Sequence, residues 1–189
     1  MTLVYRTVSR AATGKMLAGL AILFLIAAVL NVGPPFGIAQ LNAITGDAGV
    51  LDEMFYTPAE AYTVLEAQGE VGRAFYRRLL LTTELLFPLI YRTFNAVLIA
   101  YLFSRWLAPN SRWRYLALLP LVGMIADYCE NTLVLLMLGA YPDTLNGVAA
   151  VASKATMIKW GSNYVDYTLI LVGLVGWGVH ALVKRRGQA

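Results

Sequence analysis

Three apolar stretches of this chain carry polar side chains at helical spacing. In the first, Glu84, Pro88, Tyr91 and Asn95 recur at intervals of four, three and four, which sets them on one helix face with Arg92 at its flank. In the second, Asp127, Glu130 and Asn131 occupy adjacent turns of one face, and in the third Lys159, Asn163 and Asp166 again share a face. Carboxylates beside a base exchange protons; carboxylates, amides and a phenol together anchor the polar head of a ligand. A charge at membrane depth costs several kcal/mol on insertion scales, so each of Glu84, Arg92, Asp127, Glu130, Lys159 and Asp166 needs a partner or a task. Four carboxylates face only two bases, and ionising all of them in one cavity is expensive. Helix packing alone, Arg92 with a carboxylate and Asn131 with Asn163, is the architectural alternative.

Other chemistry is excluded by what is scarce. One cysteine, Cys129, forms neither an intrachain disulfide nor a CxxC pair, and it is expected to be a small buried apolar residue. One histidine, His180, rules out bis-histidine haem, a di-iron ExxH pair and an HExxH zinc site, so no metal and no cofactor are expected. No Ser/His/Asp set assembles around His180, which is read as interfacial, and no Gly-rich phosphate loop occurs. Trp106, Trp113 and Trp177 read as aromatic belts at span ends, and Trp160 as a wall of the polar cavity.

The elements that must position these groups follow from composition. Of 189 residues, 59% are hydrophobic and 14% charged, against roughly 45 to 50% and 25% in soluble domains, and the mean hydropathy is +0.62. Apolar runs at about 16–32, 75–104, 115–140 and 157–182 each approach or exceed the roughly 20 residues that span a bilayer. Continuous runs without alternation select helices. The expectation is an all-α fold, a polytopic four-transmembrane-helix bundle forming a single integral membrane domain over 1–189. Its first span is read as an apolar wall, and apart from Pro88, read as a kink, no broken helix is expected. The first run also fits a signal peptide in its charge pattern, but no small-residue cleavage pattern follows Leu30. Gly173, Gly176 and Gly178 are expected to let helices approach in a dry inner half.

The basic residues lie at run ends, as topology signals rather than a nucleic-acid footprint, despite a net charge of +4. Arg6, Arg10 and Lys15 precede the first run, Arg105, Arg112 and Arg114 lie between the second and third, and Lys184, Arg185 and Arg186 follow the fourth. Both termini are therefore expected in the cytoplasm, with a structured extracytoplasmic loop at 33–73 between helices 1 and 2. Gly33, Pro34, Pro35 and Gly37 end the first helix, and a capping box at Thr57-Pro58-Ala59-Glu60 starts a short one that Gly69 ends. That helix is read either as lying on the bilayer surface or as a lid over the outer end of the bundle. By residue count the polar stripes share the outer half of the bilayer.

The stretch Asp127-Tyr-Cys-Glu130-Asn131-Thr-Leu, with Tyr56-Thr-Pro-Ala-Glu-Ala-Tyr62 and Glu84-Leu-Leu-Phe-Pro88, resembles a family of small uncharacterised bacterial four-helix membrane proteins. That resemblance covers most of the chain, implies a cell inner (plasma) membrane location and brings no activity with it. In layout the chain is also similar to the EXPERA group, which includes sterol isomerase and sterol-binding receptors. Only Glu84 occupies the place of a family acid, and the implied property is a hydrophobic ligand in a cavity open to the bilayer. The residues support three functions. The first is a site that binds or acts on a hydrophobic or amphipathic ligand, lipid or isoprenoid-like, with Glu84, Asp127, Glu130 and Asp166 as anchors. The second is an accessory or assembly subunit of a larger membrane complex. The third is a proton- or cation-coupled small transporter, as a homodimer. The expected partners are membrane lipids, a hydrophobic small molecule and further membrane chains, not nucleic acid; whether there is catalysis stays open.

Overall fold

The computed structural model describes residues 3–186, and among them every regular element is helical. In chain order these are α1 (Leu3–Ala11), α2 (Gly14–Val32), α3 (Ile38–Thr45), α4 (Pro58–Ala67), α5 (Gly69–Leu81) and α6 (Thr83–Ser104). A 3-10 segment (Arg112–Leu118), α7 (Pro120–Ala140) and α8 (Asn146–Arg186) follow. Four stretches are long and apolar enough to cross a membrane: Gly14–Val32, Gly69–Ser104, Arg112–Ala140 and Asn146–Arg186. Helices α6, α7 and α8 pack on one another, while α2 lies along α6 and has no comparable seam with α8.

Several boundaries differ from the hydropathy reading for physical reasons. The second long stretch is broken at Thr82 (φ −122, ψ −87). Two adjacent β-branched residues cause it: the Thr82 hydroxyl donates to Arg78 O at 2.7 Å and the Thr83 hydroxyl to Leu79 O at 3.4 Å, drawing carbonyls away from the ladder. Residues 115–118 belong to the 3-10 segment, and α7 starts at Pro120, which tolerates a first helical position. The last helix begins at Asn146 rather than 157, because the alanine-rich turn around Ala149, Ala152 and Ala155 favours helix without raising hydropathy.

The extra helical length builds a head at one end. Leu41 of α3, Ala61 and Leu65 of α4, Phe75 and Leu79 of α5, Met137 of α7 and Ala149 and Ala152 of α8 form one buried cluster. The α4 cap takes the expected form: Thr57 Oγ1 accepts from the Glu60 amide at 3.3 Å, and Glu60 Oε2 accepts from the Thr57 amide at 2.7 Å. Gly69, at φ +63, turns the chain from α4 into α5. Helix α4 packs against α8 and α5, with Ala61 and Leu65 inward and Ala67 exposed. At the opposite end, the foot, Ile99, Leu102, Phe103 and Ala117 form a second cluster, and α1 closes onto it with Tyr5 and Tyr115 rings 4.7 Å apart. Cβ atoms on Gly173 and Gly176 would collide with Leu102 and the Trp106 ring, whereas Gly178 faces open space and carries no close approach. Cys129 is exposed, not buried: its position in α7 turns away from the packed faces of Asp127 and Glu130. His180 is exposed near the end of α8.

Candidate functional site

Between head and foot lies a cavity of about 370 Å³, within the size of small-ligand pockets. It is walled by Glu84, Tyr91 and Asn95 of α6, Asp127, Glu130 and Asn131 of α7, and Lys159, Trp160 and Asn163 of α8. Phe24 and Asn31 reach it from α2, Tyr76 and Leu80 from α5, and Val50, Leu51 and Asp52 from the loop before α4. Amphipathic spacing places the three helical stripes; the break at Thr82 lets α5 bend over them.

Lys159 is the only cation in the wall among the described residues, and two acids hold it. Its Nζ lies 2.5 Å from Glu130 Oε2 and bonds Asp52 Oδ1. The loop that carries Asp52 is pinned in three more places. Trp160 Nε1 donates to Asp52 O at 2.9 Å, the Leu51 amide to Tyr76 Oη at 3.1 Å, and Gln68 Nε2 to Gly49 O at 2.8 Å. The loop therefore forms a strap across the head side of the cavity. Tyr56 follows it, its amide donating to Ser153 Oγ at 3.1 Å. Burial pushes the Tyr56 phenol up from 10.0 to about 12; the Glu130 charge acts in the same sense, while Thr156 and Lys159 oppose it.

Glu84 and Asp127 have no cationic partner among the described residues. Glu84 Oε1 accepts from Asn31 Nδ2 at 3.2 Å, and Asp127 Oδ2 accepts from the Tyr91 hydroxyl at 3.0 Å. Pro88 supplies no amide to the Glu84 carbonyl four residues back, and Asn131 Nδ2 donates to that carbonyl at 3.3 Å instead. The proline thus creates an acceptor that ties α6 to α7, as well as bending the helix.

Two expected site residues stand apart. Arg92 and Asp166 are fully buried and do not line the cavity. They close its floor as a pair, Nη1 to Oδ2 at 2.9 Å, with Arg92 Nη2 donating to Lys159 O at 3.2 Å and Asn95 Nδ2 donating to Asp166 at 3.3 Å. A Cβ on Gly123 would overlap the guanidinium, so α7 has glycine where the pair passes. The physical reason is packing: at the α6–α8 seam the two charges pair through Nη1 and Oδ2, although Arg92 Nε and Asp166 Oδ1 are buried with no hydrogen-bond partner among the described residues. The stripe of α8 thus divides, Lys159 and Asn163 to the cavity and Asp166 to the floor. No bond joins Asn131 to Asn163.

Two contributors escaped the sequence reading. Asn31, buried at 4% exposure, comes from the helix expected to be a plain apolar wall; its signal is a lone amide in the last turn of that run. Asp52 lies in a loop whose fold over α8 has no local periodicity to reveal it.

One wall is aromatic. Phe24 of α2 stacks on Phe94 at 5.4 Å and on Phe87 at 6.2 Å, and Phe87 meets Tyr91 at 5.0 Å. Trp160, Tyr167 and Ile170 of α8 line the same cavity. The cavity joins a polar, acceptor-rich end to an aromatic side between α2 and α8.

Fold and site define an all-helical protein with four helices long and apolar enough to cross a membrane and a polar cavity among them. In comparisons with known proteins, no family model matches the chain, and no curated protein and no solved structure matches it.

Proposed function

We propose that this chain is a multi-pass protein of the cell inner (plasma) membrane that holds an amphipathic ligand, lipid or isoprenoid-like, in the cavity between head and foot. In this reading α2, α5–α6, α7 and α8 are the four spans of one bundle, the head is the extracytoplasmic loop region, and both termini are cytoplasmic. The polar part of the ligand meets Glu84, Tyr91, Asn95, Asp127, Glu130, Asn131, Lys159 and Asn163, and its apolar part leaves between α2 and α8. Arg92 and Asp166 fix the floor.

One observation carries the reading: two carboxylates with no salt bridge among the described residues face a cavity of about 370 Å³ whose lining is otherwise rich in aromatic rings and includes residues of α2 and α8, which have no comparable seam with each other. Helix packing alone does not require such a space, since buried polar groups are normally matched by partners. The test is mass spectrometry of lipid-like molecules released from the purified protein. Wild type is expected to release a defined amphiphile that Asp127→Asn and Glu84→Gln retain poorly; release of bulk lipid alone, the same from all three, overturns the reading. The Arg92–Asp166 pair, buried away from the cavity wall, commits part of the polar stripe to helix packing, which is also what the second reading, an assembly subunit, asks of it. Tight co-purification with other membrane chains, with the cavity empty, is that reading's signature.

A further inference from the structure

We propose that the head group taken by this cavity is a cationic amine, an ammonium or guanidinium on an apolar chain, seated between Glu84 and Asp127. This rests on the amphiphile reading above and narrows it to one charge. The argument is a count of donors and acceptors. Lys159 is engaged by Glu130 and Asp52, the Tyr91 hydroxyl by Asp127, the Trp160 indole by the Asp52 carbonyl, and the Asn31 amide nitrogen by Glu84. These are most of the donors that an anionic or acceptor-bearing head would need; the Asn163 amide, which makes no side-chain hydrogen bond among the described residues, is the neutral donor left in the wall.

Acceptors remain. The bond from its nitrogen to Glu84 fixes the orientation of Asn31, and its Oδ1, in a residue at 4% exposure, has no hydrogen-bond partner among the described residues. Glu84 and Asp127 each spend one oxygen on a neutral donor, have no salt bridge among the described residues, and line the same cavity. A buried carboxylate without a cation is costly, and a second one nearby adds repulsion, so a cationic guest offsets both. The rings of Tyr91 and Phe87 border the same space, and a cation is attracted to the face of an aromatic ring. A carboxylate or phosphate head would meet the opposite: carboxylates beside it, and a lysine that is already doubly held.

The experiment uses the full-length protein in detergent, with decylamine, decanoate and decanol as probes and thermal unfolding as readout. Decylamine is expected to raise the unfolding temperature saturably, and decanoate is expected not to. Removing one charge, in Asp127→Asn or in Glu84→Gln, is expected to weaken decylamine binding by roughly ten-fold or more, the scale of one charge-assisted contact. The two variants lie on different helices, so misfolding of one leaves the other to read, and the wild-type comparison of amine with carboxylate needs no variant. Decanoate or decanol binding as tightly as decylamine overturns the amine assignment and leaves the amphiphile reading standing. So does amine binding that neither variant weakens. If none of the three probes binds, both fall.

Discussion

At the scale of single residues the two buried lysine and arginine sites behave differently. Arg92 has one carboxylate, a carbonyl and a hydroxyl around it, and it is fully buried with Asp166 away from the cavity wall. Breaking such a pair strands one charge, so Arg92→Met is expected to lower stability by about 3 to 5 kcal/mol, whereas Arg92→Met with Asp166→Leu recovers most of the loss. Reversible unfolding of both variants in mixed micelles checks this; a double variant as unstable as the single one refutes a purely structural pair. Lys159, by contrast, faces the cavity with one buried and one exposed partner: Glu130 is on a helix, whereas Asp52 is on the strap and its side chain is 41% exposed. Asp52→Asn is therefore expected to loosen the strap while leaving the helices intact, read as faster amide exchange over residues 49–53 with no change in α7 or α8. Of the groups around the cavity, those on α6, α7 and α8 stood out in the sequence because period 3.6 in an apolar run leaves polar residues conspicuous. Asn31 and Asp52 did not, since one is a single amide at a helix end and the other is brought in only by the folded head. Nor does the spacing separate Asp166 from Asn163: they share a stripe, and only the position of Arg92 across the seam decides which of them meets the cavity.

At the scale of elements, α4 was the most legible because its start is written in four residues. The Thr57 amide and hydroxyl donate to Glu60 Oε2 at 2.7 and 2.8 Å, and they hold the Glu60 carboxyl below its ordinary 4.5. A value depressed in the folded state stabilises the cap above the unfolded value, and that contribution is lost as pH falls through the folded one. Amide exchange in the first turn of α4, corrected for its intrinsic pH dependence, is expected to show easier opening as pH falls below the ordinary glutamate range. In Glu60→Gln the same measurement is expected to be flat; an unchanged acid response there removes Glu60 as the cause. Helices α1 and α3 were not legible: each is short, and its helicity depends on docking, α1 through Tyr5 on the 3-10 segment and α3 through Leu41 in the head cluster. The break at Thr82 belongs to the same class. Hydropathy is blind to it, because threonine hydroxyls satisfied within the helix scarcely interrupt an apolar run.

At the scale of the whole molecule, the lengths decide where the cavity sits. Helix α8 has 41 residues, about 60 Å at 1.5 Å per residue, against a hydrocarbon core of about 30 Å. In the proposed arrangement about half of it lies outside the lipid, and because most of its exposed apolar residues, Leu171, Val175, Val179 and Leu182 among them, are on the foot side, with Val151, Met157 and Ile158 toward the head, that arrangement puts the excess at the head. Counting about 20 residues back from Leu182 puts the head-side edge of the hydrocarbon near Asn163, which sets the polar wall at the boundary where an amphiphile changes from head to tail. The same geometry predicts orientation. Arg6, Arg10, Lys15, Arg105, Arg112, Arg114, Lys184, Arg185 and Arg186 gather at the foot with no acidic residue, whereas the head has only Arg73, Arg77, Arg78 and Lys154 among its acids. In a Cys129→Ser background, Glu66→Cys is expected to react with a membrane-impermeant maleimide on intact cells, and Lys184→Cys only after permeabilisation. The reverse pattern would turn the head, and with it the strap and the polar end of the cavity, toward the cytoplasm, and the ligand would then have to be one drawn from the inner leaflet.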